Sequence, residues 1–575
     1  MDRLKAWLAS RAFGVHAALL SSLLACVSLG NGIVADDLWH YANLTRAPGF
    51  EPFFHPWPRL FSFFPDEKTA RWFIDEGFGP WWLELDVHAV LFRPLASATH
   101  AIDYALFPHT PWLMHAHSIA WAAVLVVVAS WTHRRLLGAT WPAGVATLLY
   151  ALDPGHGLPI GWLANRNAIL SAVFGIAALG ALDVSATRRR PAWSLASAAL
   201  LALALASGES GVCAGALLVA YALTLDDREP RARALSLAPH AVVTIAWVLA
   251  YKLGGYGVAG SGMYVEPLRE PVLFARAVIV HLPLLLGGEL GGVPGELYVA
   301  TDGATAATVL VIGILATTWA AIAGWRLVRA DRRARFFALG SLLATLPVCA
   351  TFPSARLMVI PGFALFGFVA MIAEHSTSRV ARAFRAWSCV ARLVLSVPLF
   401  AGACLMMRAF GAQVDRLAAD MPAAGAASRV MIVNAPDAIF VAFVLARSRL
   451  ADPPARWRML SLAAGRRDVH LRRADDHTLI VHTDGGLYRT FTELLGRRPG
   501  VAMPAGTRIE LTGVSIEVTH AMADGVPDEM TFRYDVPLDD PSLAWRVWRG
   551  VDLLPFTPPP AGETTTIPGA IPTPF

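Results

Sequence analysis

Apolar runs of about 17–25 residues, closed by arginine clusters or Gly/Pro turns, have the length a helix needs to cross a bilayer. Such stretches, several of them shorter, lie near 13–34, 112–132, 140–152, 166–184, 192–206, 211–225, 236–254, 305–325, 336–351, 357–374 and 388–409. The basic residues between them follow a rule. Arg3, Lys5 and Arg11 precede the first run, Arg134 and Arg135 follow the second, and Arg188, Arg189 and Arg190 follow the fourth. Arg228, Arg231 and Arg233 follow the sixth, Arg326, Arg329, Arg332, Arg333 and Arg335 separate the eighth from the ninth, and Arg379, Arg382 and Arg385 precede the last. With spans alternating in direction, all of these fall on one side, which the positive-inside rule makes the cytoplasm. The pattern predicts a polytopic α-helical membrane protein of about 11 spans with a cytoplasmic N-terminus.

That alternation closes only if the apolar run 271–290 does not cross. It carries Arg276, His281, Pro283 and Glu289 and is read as a re-entrant or interfacial helix lining a cavity, where irregular backbone is tolerated at membrane depth; the alternative is an ordinary twelfth span, which would throw 412–575 to the other face. Residues 1–34 read as an uncleaved anchor, because the apolar stretch is long for a signal core.

Between the first two runs, segment 35–111 is rich in Trp, Phe and Pro, with Trp57-Pro58, Phe63-Phe64, Trp72-Phe73 and Trp81-Trp82. It predicts short helices lying flat at the membrane–water boundary. After about residue 411 the pattern changes to short alternating runs. Strands are predicted at 478–482 and within 508–518, and VMIVNAPD at 430–437 reads as a buried strand followed by a helix. The expected organisation is a transmembrane domain over 1–411, a small α+β domain over 412–554, and a disordered Pro/Thr-rich tail over 555–575.

Composition agrees with a membrane protein. The 575 residues are 55% hydrophobic and only 16% charged, with a mean hydropathy of +0.49, where a soluble protein carries about 25% charged residues. The net charge of +5 is dispersed over short loops and forms no basic stripe with interleaved aromatics, so nucleic acid is not an expected partner. All five cysteines lie in apolar runs, with no spacing for a disulfide framework or zinc.

The chemistry-bearing residues gather at helix ends opposite the arginine clusters. Asp36 and Asp37 follow the first span, Arg93 ends the long loop, and His115 and His117 open the second span. Asp153, His156, Trp162, Asn165 and Arg166 cluster ahead of the fourth, Glu209 lies in the turn between the fifth and sixth, and Arg356 opens the tenth. A carboxylate at the mouth of a low-dielectric cavity suits either deprotonation of an acceptor or holding a divalent cation. Arg93, Arg166 and Arg356 offer planar bidentate donors for phosphate. Each residue also has a plainer reading as a structural ion pair, and His115, His117, Asp153 and His156 favour it. No Walker loop, GxGxxG, HExxH or CxxC motif is present, which leaves nucleotide, zinc and redox chemistry without support.

As an ordered set, several segments resemble the GT-C membrane glycosyltransferases, especially the protein O-mannosyltransferase-like branch and its bacterial relatives. They are ADDLWH at 35–40, FRPLASATHAIDYALFP at 92–108, WLMHAHSIAWAAVL at 112–125, GWLANRNAILSAVFGIAAL at 161–179, SGESGVCAGALLVAYAL at 207–223 and FPSARLMVIPG at 352–362. The resemblance covers roughly residues 10–410. It implies a transferase of the bacterial inner membrane that moves a sugar from a polyprenyl-phosphate donor to a periplasmic acceptor, whether protein, lipid or glycan. Asp36 or Asp37 would be the general base, Arg93, Arg166 and Arg356 would bind donor phosphate, and Asn165, Glu209 and His115 would support them. One departure is visible: Glu209 follows Gly208 where the family usually has lysine. The competing readings are a transporter or lipid flippase, which expects mid-span charges and internal repeats, and a non-catalytic scaffold.

Overall fold

The computed structural model of the chain describes residues 2–291, 293–375, 377–422, 427–451 and 457–570. Among these, eight helical segments are long and apolar enough to cross a membrane: Phe13–Gly30, Pro111–Leu137, Leu163–Arg188, Pro230–Leu253, Pro271–Gly291, Gly303–Ala330, Arg332–Ala350 and Arg379–Ala419. Shorter apolar helices span Ala192–Ser207, Gly211–Thr224 and Pro361–Glu374. Leu163–Arg188 forms the centre, with 89% of its most apolar window buried, whereas Pro230–Leu253 buries only 11%. On the latter, Leu235, Val242, Leu249 and Leu253 point outward. Apolar surface on this scale is stable only against lipid. The chain is a polytopic α-helical membrane protein with a C-terminal sheet-containing domain.

The arginine-bearing loops meet on one face. Arg134 donates to the carbonyls of Ala9 and Ser10, Arg135 donates to Asp183 at 2.7 Å, and Arg332 donates to the Thr224 carbonyl at 2.7 Å. Pro271–Gly291 is one continuous helix with Pro283 inside it. Both of its flanks attach to the opposite face. Before it, Gly262 N donates to the Leu494 carbonyl at 2.8 Å. After it, Glu296 accepts from Ser354 at 2.6 Å and Arg466 donates to the Ala300 carbonyl at 2.8 Å. By length and composition it is one of the eight span-sized helices. Its Glu289 meets Arg392 at 2.8 Å, and Arg392 lies 3.4 Å from Asp153. Arg392 sits in a π-helical turn, Val390–Leu395, where an extra residue per turn re-aims a side chain.

The strands are β1 (Ser62–Phe64), β2 (His88–Val90), β3 (Gly257–Ala259), β4 (Arg429–Ala435), β5 (Arg458–Ala464), β6 (Val469–Arg473), β7 (Thr478–Thr483), β8 (Arg508–Leu511), β9 (Val514–Ala521), β10 (Pro527–Tyr534), β11 (Leu543–Arg549), β12 (Asp552–Pro555) and β13 (Thr564–Ile567). They form three sheets, ordered β1-β2-β3, β13-β6-β7-β10-β9-β8 and β12-β11-β4-β5. β4 pairs in parallel with both β5 and β11, and the connection from β4 to β5 contains the helix Ala438–Ala451. The predicted strands at 430–437, 478–482 and 508–518 correspond to β4, β7 and the β8–β9 hairpin.

Two expectations change. The first loop does hold helices, Asp36–Thr45, Glu67–Glu76 and Pro94–Leu106, but its aromatics bury into a core shared with the C-terminal domain instead of lying on the bilayer. Trp81 and Trp82 are fully buried, and their indole N–H groups donate to the carbonyls of Leu462 and Glu493. A large ring with one polar handle is satisfied as well by a carbonyl in a core as by water at an interface. The tail is also ordered through residue 570. β13 pairs antiparallel with β6, and Ala570 N donates to the Gly465 carbonyl at 3.1 Å. The Pro/Thr composition conceals a β-branched run, Thr564-Thr565-Thr566-Ile567, that suits a strand; residues 571–575 lie outside the described residues.

Gly77 seats the first loop on this domain. It ends the helix Glu67–Glu76 at φ +90°, and a Cβ there would collide with the Met459 carbonyl. Gly77→Ala is expected to cost about 1–3 kcal/mol, seen as a lower Tm of the purified protein and faster proteolysis between the membrane helices and the C-terminal domain.

Candidate functional site

A cavity of about 690 Å³ opens on the face that carries the C-terminal domain. Of the residues predicted from sequence, Asp36, Arg93, Asn165, Glu209 and Arg356 line it, while Asp37, Arg166 and His115 do not.

The two aspartates separate because adjacent helical side chains point about 100° apart. Asp36 opens its helix after Ala35, which has a φ of +52°. Its half-buried carboxylate accepts no hydrogen bond from the described residues and faces the charges of Arg356 and Arg93. Burial pushes its pKa up to about 6, against the pull of those two arginines. Asp37 is fully buried. One of its oxygens accepts from Ala164 N at 2.7 Å and the other from Val34 N at 3.3 Å. It pins the helix start to the turn at Leu163–Asn165. Burial pushes its pKa up to about 8.

The three arginines divide in the same way. Arg166 is fully buried and pairs with Asp103 at 2.5 Å. It also donates to Ser118 Oγ and the Met114 carbonyl, each at 2.8 Å. These bonds join three helices and leave Arg166 away from the cavity, so its predicted contact with donor phosphate is corrected to a structural one. Arg93 donates through Nε to Glu209 at 3.0 Å, and the other Glu209 oxygen accepts from Phe92 N at 2.9 Å. The guanidinium lies over Phe61, and neither Nη group has a hydrogen-bond partner among the described residues. Arg356 makes no hydrogen bond or ion pair with a described residue. Its guanidinium rests 5.6 Å from the ring of Trp162 and 5.4 Å from that of Phe352. Planar guanidinium donors of this kind suit the oxygens of an anion.

The Asn165 side-chain N–H₂ group has no partner among the described residues. His115 sits 2.8 Å from the Gly32 carbonyl and buttresses the chain just before Asp36. Among the described residues, no group of three or more His, Cys, Asp or Glu side chains is arranged to hold a metal ion.

Sequence reasoning missed Lys252 and Glu266, which line the cavity and pair at 3.0 Å, and Thr492 and Glu493, which enter it from the C-terminal domain. Lys252 did leave a signal. It is a basic residue at the end of a span opposite the arginine clusters, where the positive-inside rule expects few. Thr492 and Glu493 left none, since only the tertiary fold brings them there.

No family model matches the sequence, and no curated protein does. The fold is similar to solved structures. One is the oligosaccharyltransferase of Archaeoglobus fulgidus tethered to an acceptor peptide, with 12% identity over 79% of this chain and 64% of that one, at a TM-score of 0.43. Another is ArnT from Cupriavidus metallidurans bound to undecaprenyl phosphate, with 16% identity over 77% of this chain and 89% of that one, at a TM-score of 0.38. The match thus spans about two thirds of the archaeal enzyme's length.

Removing Arg166 strands a buried Asp103 carboxylate, so Arg166→Ala is expected to destabilise the protein by about 3–5 kcal/mol, read as a drop in Tm. Asp37 behaves differently. Because its folded pKa is raised from 3.8 to about 8, its contribution is fully present below pH 3.8 and lost by about pH 8. Asp37→Asn should keep the bond from Ala164 N and flatten the fall in Tm across that window.

Proposed function

We propose that this protein is a glycosyltransferase of the bacterial inner membrane. It moves a sugar from a polyprenyl-phosphate donor to an acceptor on the periplasmic face, the face that carries the C-terminal domain. The observation that carries this reading is Asp36: a carboxylate with no hydrogen-bond partner among the described residues, in one cavity with the uncommitted donors of Arg93 and Arg356.

The chemistry follows from these groups. An acceptor O–H or N–H gives its proton to a carboxylate oxygen of Asp36 as its oxygen or nitrogen attacks the anomeric carbon of the sugar. The bond from that carbon to the phosphate oxygen breaks, and the electron pair leaves with the phosphate. Arg93 and Arg356 stabilise the charge developing on the leaving phosphate in a site poor in water, where such contacts are strongest. Lys252 adds a third cation to the cavity, in a family context where the lysine expected before Glu209 is absent. Glu209 holds Arg93 by its Nε and leaves the remaining guanidinium donors for substrate. A pKa near 6 suits a general base at neutral pH, being ionised yet still basic. The ordered motifs shared with GT-C enzymes support the same assignment.

Purified protein in nanodiscs should release polyprenyl phosphate from a polyprenyl-phosphate sugar. Asp36→Asn should lower kcat by about 10²–10⁴-fold, while Asp37→Asn keeps most activity. Wild-type protein that is inert across several donors and acceptors would overturn the proposal. The pH profile gives a separate check. Activity should rise through about pH 6 as Asp36 loses its proton. Arg356→Ala removes a charge that lowers that pKa, so the residual activity should rise at a higher pH.

A further inference from the structure

Arg356 is held in place without a hydrogen bond to any described residue, and one of its two ring supports traces back to the C-terminal domain. The segment 488–501 of that domain lies over the cavity, with Thr492 and Glu493 in the lining. It is fixed on both flanks. Gly262 N donates to the Leu494 carbonyl and Glu84 N to the Gly496 carbonyl, each at 2.8 Å, and Arg498 pairs with Glu84 at 2.6 Å. The Phe491 ring packs against Phe352 with centroids 4.6 Å apart and planes at 61°. Phe352 is the ring that lies 5.4 Å from the Arg356 guanidinium, opposite Trp162 of the membrane domain.

We infer that Phe491 is a positioning residue for the donor site. Through Phe352 it fixes Arg356 where a bound phosphate meets it, which makes the C-terminal domain a working part of that site. A long side chain with no polar tether samples many rotamers, and two rings are what narrow the choice. Losing Phe491 frees Phe352 to move and the guanidinium with it, although Phe491 itself does not line the cavity. The inference rests on the proposed function, since it concerns the phosphate of that donor.

The test uses the full chain in nanodiscs, with undecaprenyl phosphate as the binding probe and turnover measured in parallel. Phe491→Ala should weaken probe affinity and raise KM by about 2- to 10-fold, the range of one aromatic pair, with kcat changed less and the Tm of the membrane domain retained. Phe491→Tyr should restore affinity. In an Arg356→Ala background, Phe491→Ala should cause no further loss. If the alanine variant fails to fold, Phe491→Leu keeps the apolar volume without the ring edge and should weaken binding in the same direction. Wild-type affinity in a folded Phe491→Ala protein overturns the inference, and so does an equal loss in the Arg356→Ala background. Absence of probe binding by wild type overturns the functional reading instead, and this inference with it.

Discussion

The site-bearing face depends on one buried ion pair, Arg166 with Asp103. Two fully desolvated charges are tolerated only when each is neutralised and its remaining polar atoms are bonded. Arg166 meets that demand by drawing on Asp103 from one helix and on Ser118 and Met114 from another. Three helices are thereby fixed at the level of the cavity. Asp37 extends the same frame, because its carboxylate grips Ala164, two residues before Arg166, while its carbonyl lies 3.3 Å from the Tyr104 hydroxyl. Asp36 gets its position from neighbours that are spent on structure.

The division between committed and free charge is what distinguishes this site from its surroundings. Arg166, Asp37 and Asp103 are saturated by protein groups and are sealed from the cavity. Arg93 is half committed, with Glu209 taking Nε and leaving the rest. Asp36 and Arg356 have no hydrogen-bond partners among the described residues. Charges in a medium of low dielectric are costly to leave unpaired, and Asp36 and Arg356 offset that cost by lying within reach of one another's charge.

Much of this was legible in the sequence because a bilayer imposes a strong code. The membrane class, the shared side on which arginines fall and the gathering of Asp36, Arg93, Asn165, Glu209 and Arg356 opposite them follow from it. The predicted spans at 192–206, 211–225 and 357–374, however, are short helices, and eight helices, 271–291 among them, have span length. What could not be read was which charge faces a cavity and which faces another helix. Asp36 and Asp37 are neighbours in sequence yet differ in role through a rotation of one residue, and Arg166 looked as available as Arg356. The aromatic loop misled for a related reason, since a Trp-rich segment suits a membrane surface or a protein core equally well until its partner is known. The strand at Thr564–Ile567 was hidden by the prolines around it.

The shared core of the first loop and the last domain also orders events during biosynthesis. Trp81 and Trp82 find their carbonyl partners 381 and 411 residues later in the chain. At ribosomal rates of about 5–20 residues per second, that is a wait of roughly 20–80 s. Over that interval the first loop is already made with its rings unburied, and the cavity has no roof. The protein is therefore assembled like a box whose lid follows its walls, and a nascent chain holds an incomplete cavity until those later residues have been made.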